Sequence, residues 1–327
     1  MYNMTYDITV GKYKLRTIAS VTIKRSVEQL TDTAVIKLPA IMYNKVINST
    51  NTSITYLEQS VNRGDRVTIR LGYNNELTTE FDGYLEHIEN ENDQLQLHCE
   101  DGIFLYRQSL PGKEHKNITI SNLLQWIIDQ LGLDHQLSCN YDITYDKFVV
   151  SGNTGYDLLK KIQEELKPNI YLKDKTLHVH PQYTEIFGTA NYDFSLNIEK
   201  SNLKYKDAQQ RKLLIEVQGK GIDGKVIKME EGTIGGDRVT LNISGISNPE
   251  CLKKIAREYL LAKGGYTGYE GSFTGWLLPY CDAGYKVHLT DRDYEYKNGS
   301  YYVTAVEVEF SENGAERIIT LGKKIDS

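Results

Sequence analysis

Gly64-Asp65-Arg66-Val67-Thr68-Ile69, followed by Phe81-Asp82-Gly83-Tyr84-Leu85-Glu86-His87-Ile88-Glu89, is written a second time further along the chain. The second version is Gly284-Tyr285-Lys286-Val287-His288-Leu289, followed by Tyr301 through Glu309, at an offset of 220 residues. Gly64 falls on Gly284, Val67 on Val287, Ile69 on Leu289, Phe81 on Tyr301, Ile88 on Val308 and Glu89 on Glu309. Both versions alternate apolar and polar residues at period two, the signature of half-buried strands. Each then turns, at Asn90-Glu91-Asn92-Asp93 or Ser311-Glu312-Asn313-Gly314, into another alternating run, Leu95-Gln96-Leu97 or Ile318-Ile319-Thr320-Leu321. One chain therefore carries two copies of a β-unit, and two copies in one subunit suggest a pseudo-symmetric assembly.

Outward from the first copy, Tyr6-Asp7-Ile8-Thr9-Val10, Ser20-Val21-Thr22-Ile23-Lys24 and Ala34-Val35-Ile36-Lys37-Leu38 also alternate. The polar stretch from about Asn44 to Asn62 reads as a long loop. Between the copies the period changes. Ile120, Leu123, Leu124, Ile127, Ile128 and Leu131 share one helical face, with Thr119 or Ser121 as cap and Gly132 beyond the end. Leu158, Leu159, Ile162 and Leu166 mark a second helix from Thr154 or Gly155 to Lys167, stopped by Pro168. Two short strands follow, 170–173 and 177–180. Leu213–Val217 and Lys225–Lys228 read as a hairpin. A third helix starts at Asn248 with Pro249 at its first position and ends at Gly264-Gly265.

Composition narrows the function classes. The chain has 327 residues, room for two or three domains, and 24 Tyr against 7 Phe and 2 Trp. Tyr suits half-buried strands and surfaces that contact other subunits alike, through an apolar body and a polar tip. A net charge of −6 argues against a sequence-independent nucleic-acid binder, which needs a basic surface. The N-terminal residues do not form a secretory signal, and no run approaches the ~18 apolar residues of a membrane span. Cys99, Cys139, Cys251 and Cys281 are scattered without a C-x-x-C pair and read as free thiols.

The motifs that could carry chemistry each have a plainer reading. Gly219-Lys220-Gly221-Ile222-Asp223-Gly224 satisfies G-x-G-x-x-G, but the dinucleotide fingerprint needs a helix to open there. The alternating Val226-Ile227-Lys228-Met229 predicts a hairpin return instead. His178 and His180 project from one strand face at a spacing that metal sites use, yet no acidic residue stands near at ligand spacing, so a partly solvated strand face is expected. Glu86, His87 and Glu89 could suggest acid–base work, though exposed strand positions commonly carry such groups. Asp291 and Asp293 flank Arg292 in a turn, where Asp is favoured for backbone reasons. No nucleophile elbow, zinc-protease motif, P-loop or EF-hand loop occurs. No catalytic residue, cofactor or metal is expected.

Spread along the whole chain are Val27-Glu28-Gln29-Leu30-Thr31-Asp32-Thr33-Ala34, Gly64-Asp65-Arg66-Val67 leading to Phe81-Asp82-Gly83-Tyr84, the helix Leu123 to Leu131, Tyr156-Asp157-Leu158-Leu159-Lys160-Lys161-Ile162, and Asn298-Gly299-Ser300-Tyr301-Tyr302-Val303. In that order and spacing the chain resembles the baseplate hub family of phage tails, the gp27-like proteins that include late control protein D and the Mu-type 43 kDa tail proteins. The resemblance implies a mainly β protein with two similar antiparallel β-barrel domains and a small α/β module. Residues 1–110 would be the first barrel, 111–200 the α+β insert, and 201–327 the second barrel with a helix inserted at about 248–264. It implies further a homotrimer whose six similar barrels join a hexameric tail tube to a trimeric spike, with other baseplate proteins around it. DNA would pass through a central channel without specific binding, which suits the acidic balance. The absence of a C-terminal needle after the second unit implies a separate spike protein. The protein would be made in the bacterial cytoplasm and reside in the virion tail, without membrane insertion. A type VI-like hub lacking the fused spike, a glycan- or receptor-binding tail protein, and a peptidoglycan hydrolase are the competing readings.

Overall fold

Period-two alternation of apolar side chains turns most of this chain into strands. The structure, a computed structural model, describes residues 3–39, 45–47, 54–91, 94–206, 212–221 and 224–325. β1 (Met4–Val10) and β2 (Tyr13–Leu15) form a hairpin; β3 (Ser20–Ser26) and β4 (Thr33–Leu38) form the next pair. β5 (Lys45–Ile47) and β6 (Ile54–Tyr56) pair as a small separate hairpin within the stretch expected to be loop, whose positions 44 and 48–53 lie outside the described residues. β7 (Arg66–Tyr73), β8 (Glu76–Glu91) and β9 (Gln94–Glu100) make an antiparallel meander. Asn74 and Asn75 join the first two of these strands, both at positive φ (52° and 67°), the backbone a tight two-residue hairpin requires.

The central segment contains β10 (Lys113–Thr119), α1 (Ile120–Gln130), β11 (Gln136–Cys139), β12 (Thr144–Val150), α2 (Gly155–Leu166), β13 (Asn169–Lys173) and β14 (Thr176–His180). Thr119 caps α1 by accepting from the Asn122 N–H, and Thr154 and Asp157 form a reciprocal capping box on α2. The left-handed residue ending α2 is Lys167 (φ 61°), immediately before Pro168. α1 buries Ile120, Leu123, Leu124, Ile127 and Ile128 completely or nearly so, each contributing about 1.5–3 kcal/mol of burial. β10 and its partner β12 went unread in the sequence, because Lys113-Glu114-His115-Lys116-Asn117 offers no apolar alternation.

The remaining strands are β15 (Thr189–Asp193), β16 (Lys200–Ser201), β17 (Lys204–Lys206), β18 (Leu213–Lys220), β19 (Val226–Gly232) and β20 (Asp237–Ser244). After them come α3 (Pro249–Lys263), β21 (Gly268–Gly275), β22 (Lys286–Thr290), β23 (Gly299–Ser311) and β24 (Gly314–Lys324). Asn248 caps α3 with Pro249 in its first turn.

The two β-units are not separate closed barrels, and this corrects the expectation from the sequence. Among the described residues no sheet closes on itself. A single 14-stranded sheet runs in the order β16-β21-β24-β23-β3-β4-β9-β8-β7-β1-β2, with β22, β15 and β17 attached beside it. The joint is β3 against β23, antiparallel from Ser26 opposite Ala305 to Ser20 opposite Ser311. β23 is long enough to pair β22 along its first residues and β3 along its last, so one strand serves both units. Beneath the sheet lies one continuous core, running from Ile8, Val21 and Val67 to Val287, Val308 and Ile319. A second core gathers α1, α2 and their strands with Leu213, Ile215, Val217, Ile243, Leu252 and Ile255. Residues 201–327 thus contribute to both cores: β18–β20 and α3 pack with the central segment, and β21–β24 with the first β-unit.

Candidate functional site

The two stretches matched in the sequence share one hairpin register. In the β8–β9 hairpin Glu91 faces Gln94, Ile88 faces Leu97 and His87 faces His98; in β23–β24 Ser311 faces Gly314, Val308 faces Arg317 and Glu307 faces Ile318, the same register at the same 220-residue offset. At the other end the copies slip. The Gly64 N–H donates to the Leu85 carbonyl at 2.8 Å, whereas the Gly284 N–H donates to Val303 at 2.9 Å, two residues short of the offset. Accordingly Phe81 lies opposite Ile69, but Tyr301 lies opposite Val287 rather than Leu289. The opposite edges differ too, with a bulge between Leu85 and His87 in one copy and irregular pairing between Tyr301 and Ala305 in the other. Gly64 (φ 92°) and Gly284 (φ 82°) both hold left-handed backbone. Val67, Ile69, Phe81, Val287, Leu289, Tyr301 and Val308 are buried in the shared core, and Ile88 packs half-buried against it.

Where the units meet, the core contains charge. Arg25 continues the inward row of β3 after Val21 and Ile23, and Arg317 continues that of β24 between Ala315 and Ile319. Glu80 is the extra residue of a β-bulge, since Ile69 faces Phe81 while Arg70 faces Thr79; the bulge turns its carboxylate inward. Arg317 reaches it at 2.6 and 3.3 Å, and Arg25 at 2.9 Å. Arg317 also donates to the carbonyls of Cys281 (2.9 Å) and Leu277 (3.4 Å), and Arg25 to the Glu80 carbonyl (2.9 Å). Asp282 extends the network, 3.1 Å from Arg25 Nε and 2.9 Å from Lys173 Nζ on β13. The Tyr280 ring lies 4.8 Å from the Arg317 guanidinium. First unit, second unit and central segment are therefore tied at one buried point.

Burial opposes charge on both Asp282 and Arg25, but the surrounding ions prevail. Arg25 and Lys173 hold the Asp282 carboxyl below its ordinary range, and Asp282 and Glu80 raise Arg25. Asp32, which accepts from the Ser26 N–H at 2.9 Å, goes the other way: burial, with the nearby Asp282 charge, pushes it up to about 7. Burial and Asp32 push Asp101 well up too. Sequence reasoning missed this junction. The available signal was an arginine at an inward position of an otherwise apolar period-two row, twice.

The residues singled out for chemistry are not part of the charged junction, and Glu86, His87 and Glu89 gather among themselves. Gly219 and Lys220 end β18, with Lys220 facing Val226 on antiparallel β19; no helix opens there, and Ile222 and Asp223 lie outside the described residues. His180 is fully buried rather than partly solvated. Its Nδ1 donates to the Pro181 carbonyl (2.7 Å), so its Nε2 accepts the Tyr171 hydroxyl (2.8 Å), leaving no lone pair for a metal. An acidic partner does exist, Glu185, 3.1 Å from His178 Nδ1, brought there by the chain turning back after β14. Asp291 accepts from Tyr269 (2.7 Å) and from the N–H groups of Asp293 and Tyr294; the Tyr269 bond holds its carboxyl low, and it organises its turn. The four cysteines are free thiols, and burial pushes Cys99 and Cys281 up to about 12. On the outer face of the β8–β9 hairpin, His87, Glu89 and His98 bring their donor atoms within 4.8 Å of one another, the group among the described residues that could hold a metal ion. A cleft of about 1210 Å³ opens between the C-terminal end of α3 and the second unit, with Tyr183, Tyr205, Tyr266, Glu28 and Glu270 among its walls. No helix among the described residues is long and apolar enough to cross a membrane.

This architecture, an open sheet built on two joined meanders with an α+β body beside it, is the fold of phage tail proteins and of a type VI secretion component. The tail protein of Neisseria meningitidis MC58 shares 15% identity at a TM-score of 0.66, covering 98% of this chain and 97% of that one. The 43 kDa tail protein of prophage MuSo2 from Shewanella oneidensis shares 12% at 0.65, with 99% of each covered. The E. coli c3393 protein, a type VI component with structural similarity to the T4 tail proteins gp27 and gp5, shares 10% at 0.60, covering 97% of this chain and 79% of its own. At these identities the likeness is one of fold. No protein-family model and no curated protein matches the sequence.

Proposed function

We propose that this protein is a structural hub of a phage tail or of a tail-like contractile particle. Three chains would form a closed ring in which two β-units per chain give six similar surfaces, joining a sixfold tail tube to a threefold spike and leaving a channel for DNA. The observation that carries the reading is the pair of meanders, β7–β8–β9 and β22–β23–β24, with one hairpin register and joined through the pairing of β3 with β23. A cyclic assembly needs matching surfaces at each step, and two matching units in one chain supply six from three copies. The near full-length likeness to two tail proteins supports it. Tube, spike and other baseplate proteins are the partners, the virion tail the location, and the role is non-catalytic. The division at 110 and 200 is the chain order of this reading, across which β18–β20 and α3 return to pack with the central segment. A type VI-like hub is its closest variant, favoured by the likeness to c3393. The test is mass photometry of the purified chain, alone and with tube and spike proteins. Trimers are expected; a strict monomer in every mixture overturns the proposal.

The Tyr-lined cleft favours a second reading, saccharide binding, because aromatic faces stack on sugar rings while carboxylates accept from hydroxyls. Saccharide affinity that is lost on Tyr205→Ala would support it.

A further inference from the structure

The outer face of the β8–β9 hairpin carries three donors in an arrangement that plain strand exposure does not explain. His87 and His98 sit directly across from each other, with rings stacked 4.3 Å apart and planes 5° from parallel; an imidazole lone pair lies in its ring plane, so the rings turn out of the stack when both hold one ion. Glu89, the next same-face position on β8, brings its Oε2 to 3.2 Å from His98 Nε2. That nitrogen is shielded from solvent and faces the carboxylate without meeting hydrogen-bond geometry. A neutral imidazole lone pair turned towards a carboxylate is unfavourable, and a cation between the two would take both. On the far side the Glu86 carboxylate engages His87 Nδ1, and Arg63 stands 3.8 Å from the other Glu86 oxygen. An Nδ1–H donated to Glu86 puts the His87 lone pair on Nε2. A carboxylate behind a histidine is the usual outer support of a metal ligand, fixing its tautomer and raising its basicity. The bulge at Glu86 makes this possible, because it lets Glu86 serve His87 from the adjacent position.

We propose that His87, Glu89 and His98 form a site for one borderline divalent transition-metal ion of the zinc class, with Glu86 as the supporting carboxylate. Two imidazoles and one carboxylate suit such ions, whereas calcium and magnesium take oxygen ligands. Three protein ligands leave a position open to water or to a donor from a neighbouring molecule. The equivalent positions of the second unit are Glu307, Glu309 and Ile318, without an imidazole. The stoichiometry is therefore one ion per chain. On the hub reading, and resting on it, the ion would mark alternate units of the ring and distinguish three of the six.

The test uses the full chain, free of any affinity tag and stripped with EDTA. Titration with Zn²⁺ alone against a chromophoric chelator should give one equivalent, and Co²⁺ should produce visible absorption bands of nitrogen–oxygen coordination. His98→Ala and Glu89→Gln should abolish both, Glu86→Gln should weaken affinity about 10–100-fold, and His178→Ala should change neither. Zn²⁺ should raise the Tm of the wild type and leave that of His98→Ala unmoved. Since all three ligands are on the outer face, metal-free melting of the variants should match the wild type. Failure to retain Zn²⁺, or binding undiminished in the Glu89→Gln/His98→Ala double variant, overturns the site. Either outcome is independent of whether the chain forms trimers.

Discussion

Glu80→Gln is the sharpest probe of the joint between the units. Glu80 is 2% exposed and lies between two guanidiniums, accepting from Arg317 at 2.6 and 3.3 Å and from Arg25 at 2.9 Å. The amide is nearly isosteric, so packing survives while one buried negative charge disappears. Arg25 keeps Asp282, but Arg317 loses its only anionic partner and is left with the carbonyls of Cys281 and Leu277, the Tyr280 ring and at most one neutral amide oxygen. Removing one partner of a buried pair costs about 3–5 kcal/mol, because the remaining charge is stranded in low dielectric. Unfolding entropy of about 2.1 cal/mol/K per residue gives roughly 0.7 kcal/mol/K for this chain, hence a Tm lower by about 4–7 °C. Differential scanning calorimetry at pH 7 reads this directly. Glu316→Gln, which removes the exposed partner of Lys200, is the control and should leave Tm unchanged. Replacing both buried partners, Glu80→Leu with Arg317→Met, should recover part of the loss by removing the desolvation cost, though not all of it, since the two carbonyls lose their donors. A Tm within about 2 °C of wild type for Glu80→Gln would refute the claim that the junction holds the units together.

Other consequences are independent of this one. Asp32 is about 7 in the folded chain and ordinary when unfolded, so folding takes up a proton between those values and stability falls as pH rises from about 4 to 7; Asp32→Asn should remove a penalty of at most about 4 kcal/mol at pH 8, shrinking to nothing near pH 4 in thermal melts. Asp282, held low, works in the opposite sense: its contribution is present above the ordinary carboxyl range and is lost as acid protonates it, so Asp282→Asn should destabilise at pH 7 and converge with wild type in strong acid. Gly64→Ala should cost about 1–2 kcal/mol for positive φ alone, since its Cβ would meet only Phe104 at 3.8 Å. Gly284→Ala should cost more in the same denaturant titration, because its Cβ would lie 2.7 Å from the Phe187 ring. Thr154→Ala should cost about 1 kcal/mol by removing the α2 capping box.

What could be read before folding was whatever depends on neighbours in the chain. α1, α2 and α3 follow from 3.6-residue apolar spacing closed by Thr119, Thr154 and Asn248, and the structure places their starts there. The same holds for the alternation of β3, β4 and β7, and for the hairpin at Gly219 that excludes a dinucleotide loop. The two meanders could be matched by eye because turn residues and alternation are local, and their hairpins pair in a common register. The slip that moves Tyr301 opposite Val287 could not be, since register is settled by the partner strand.

The sequence by itself determined the three helices, the strands that alternate at period two and the lack of any recognised catalytic motif. Only the tertiary structure decided that the copies share one sheet and one core, because the pairing of β3 with β23 joins residues nearly the whole chain apart. It alone turned Glu80 inward through a bulge and set it between Arg25 and Arg317, and it alone stacked His87 on His98 across two strands. Those contacts depend on which strand edges meet, and local preference carries no information about that choice.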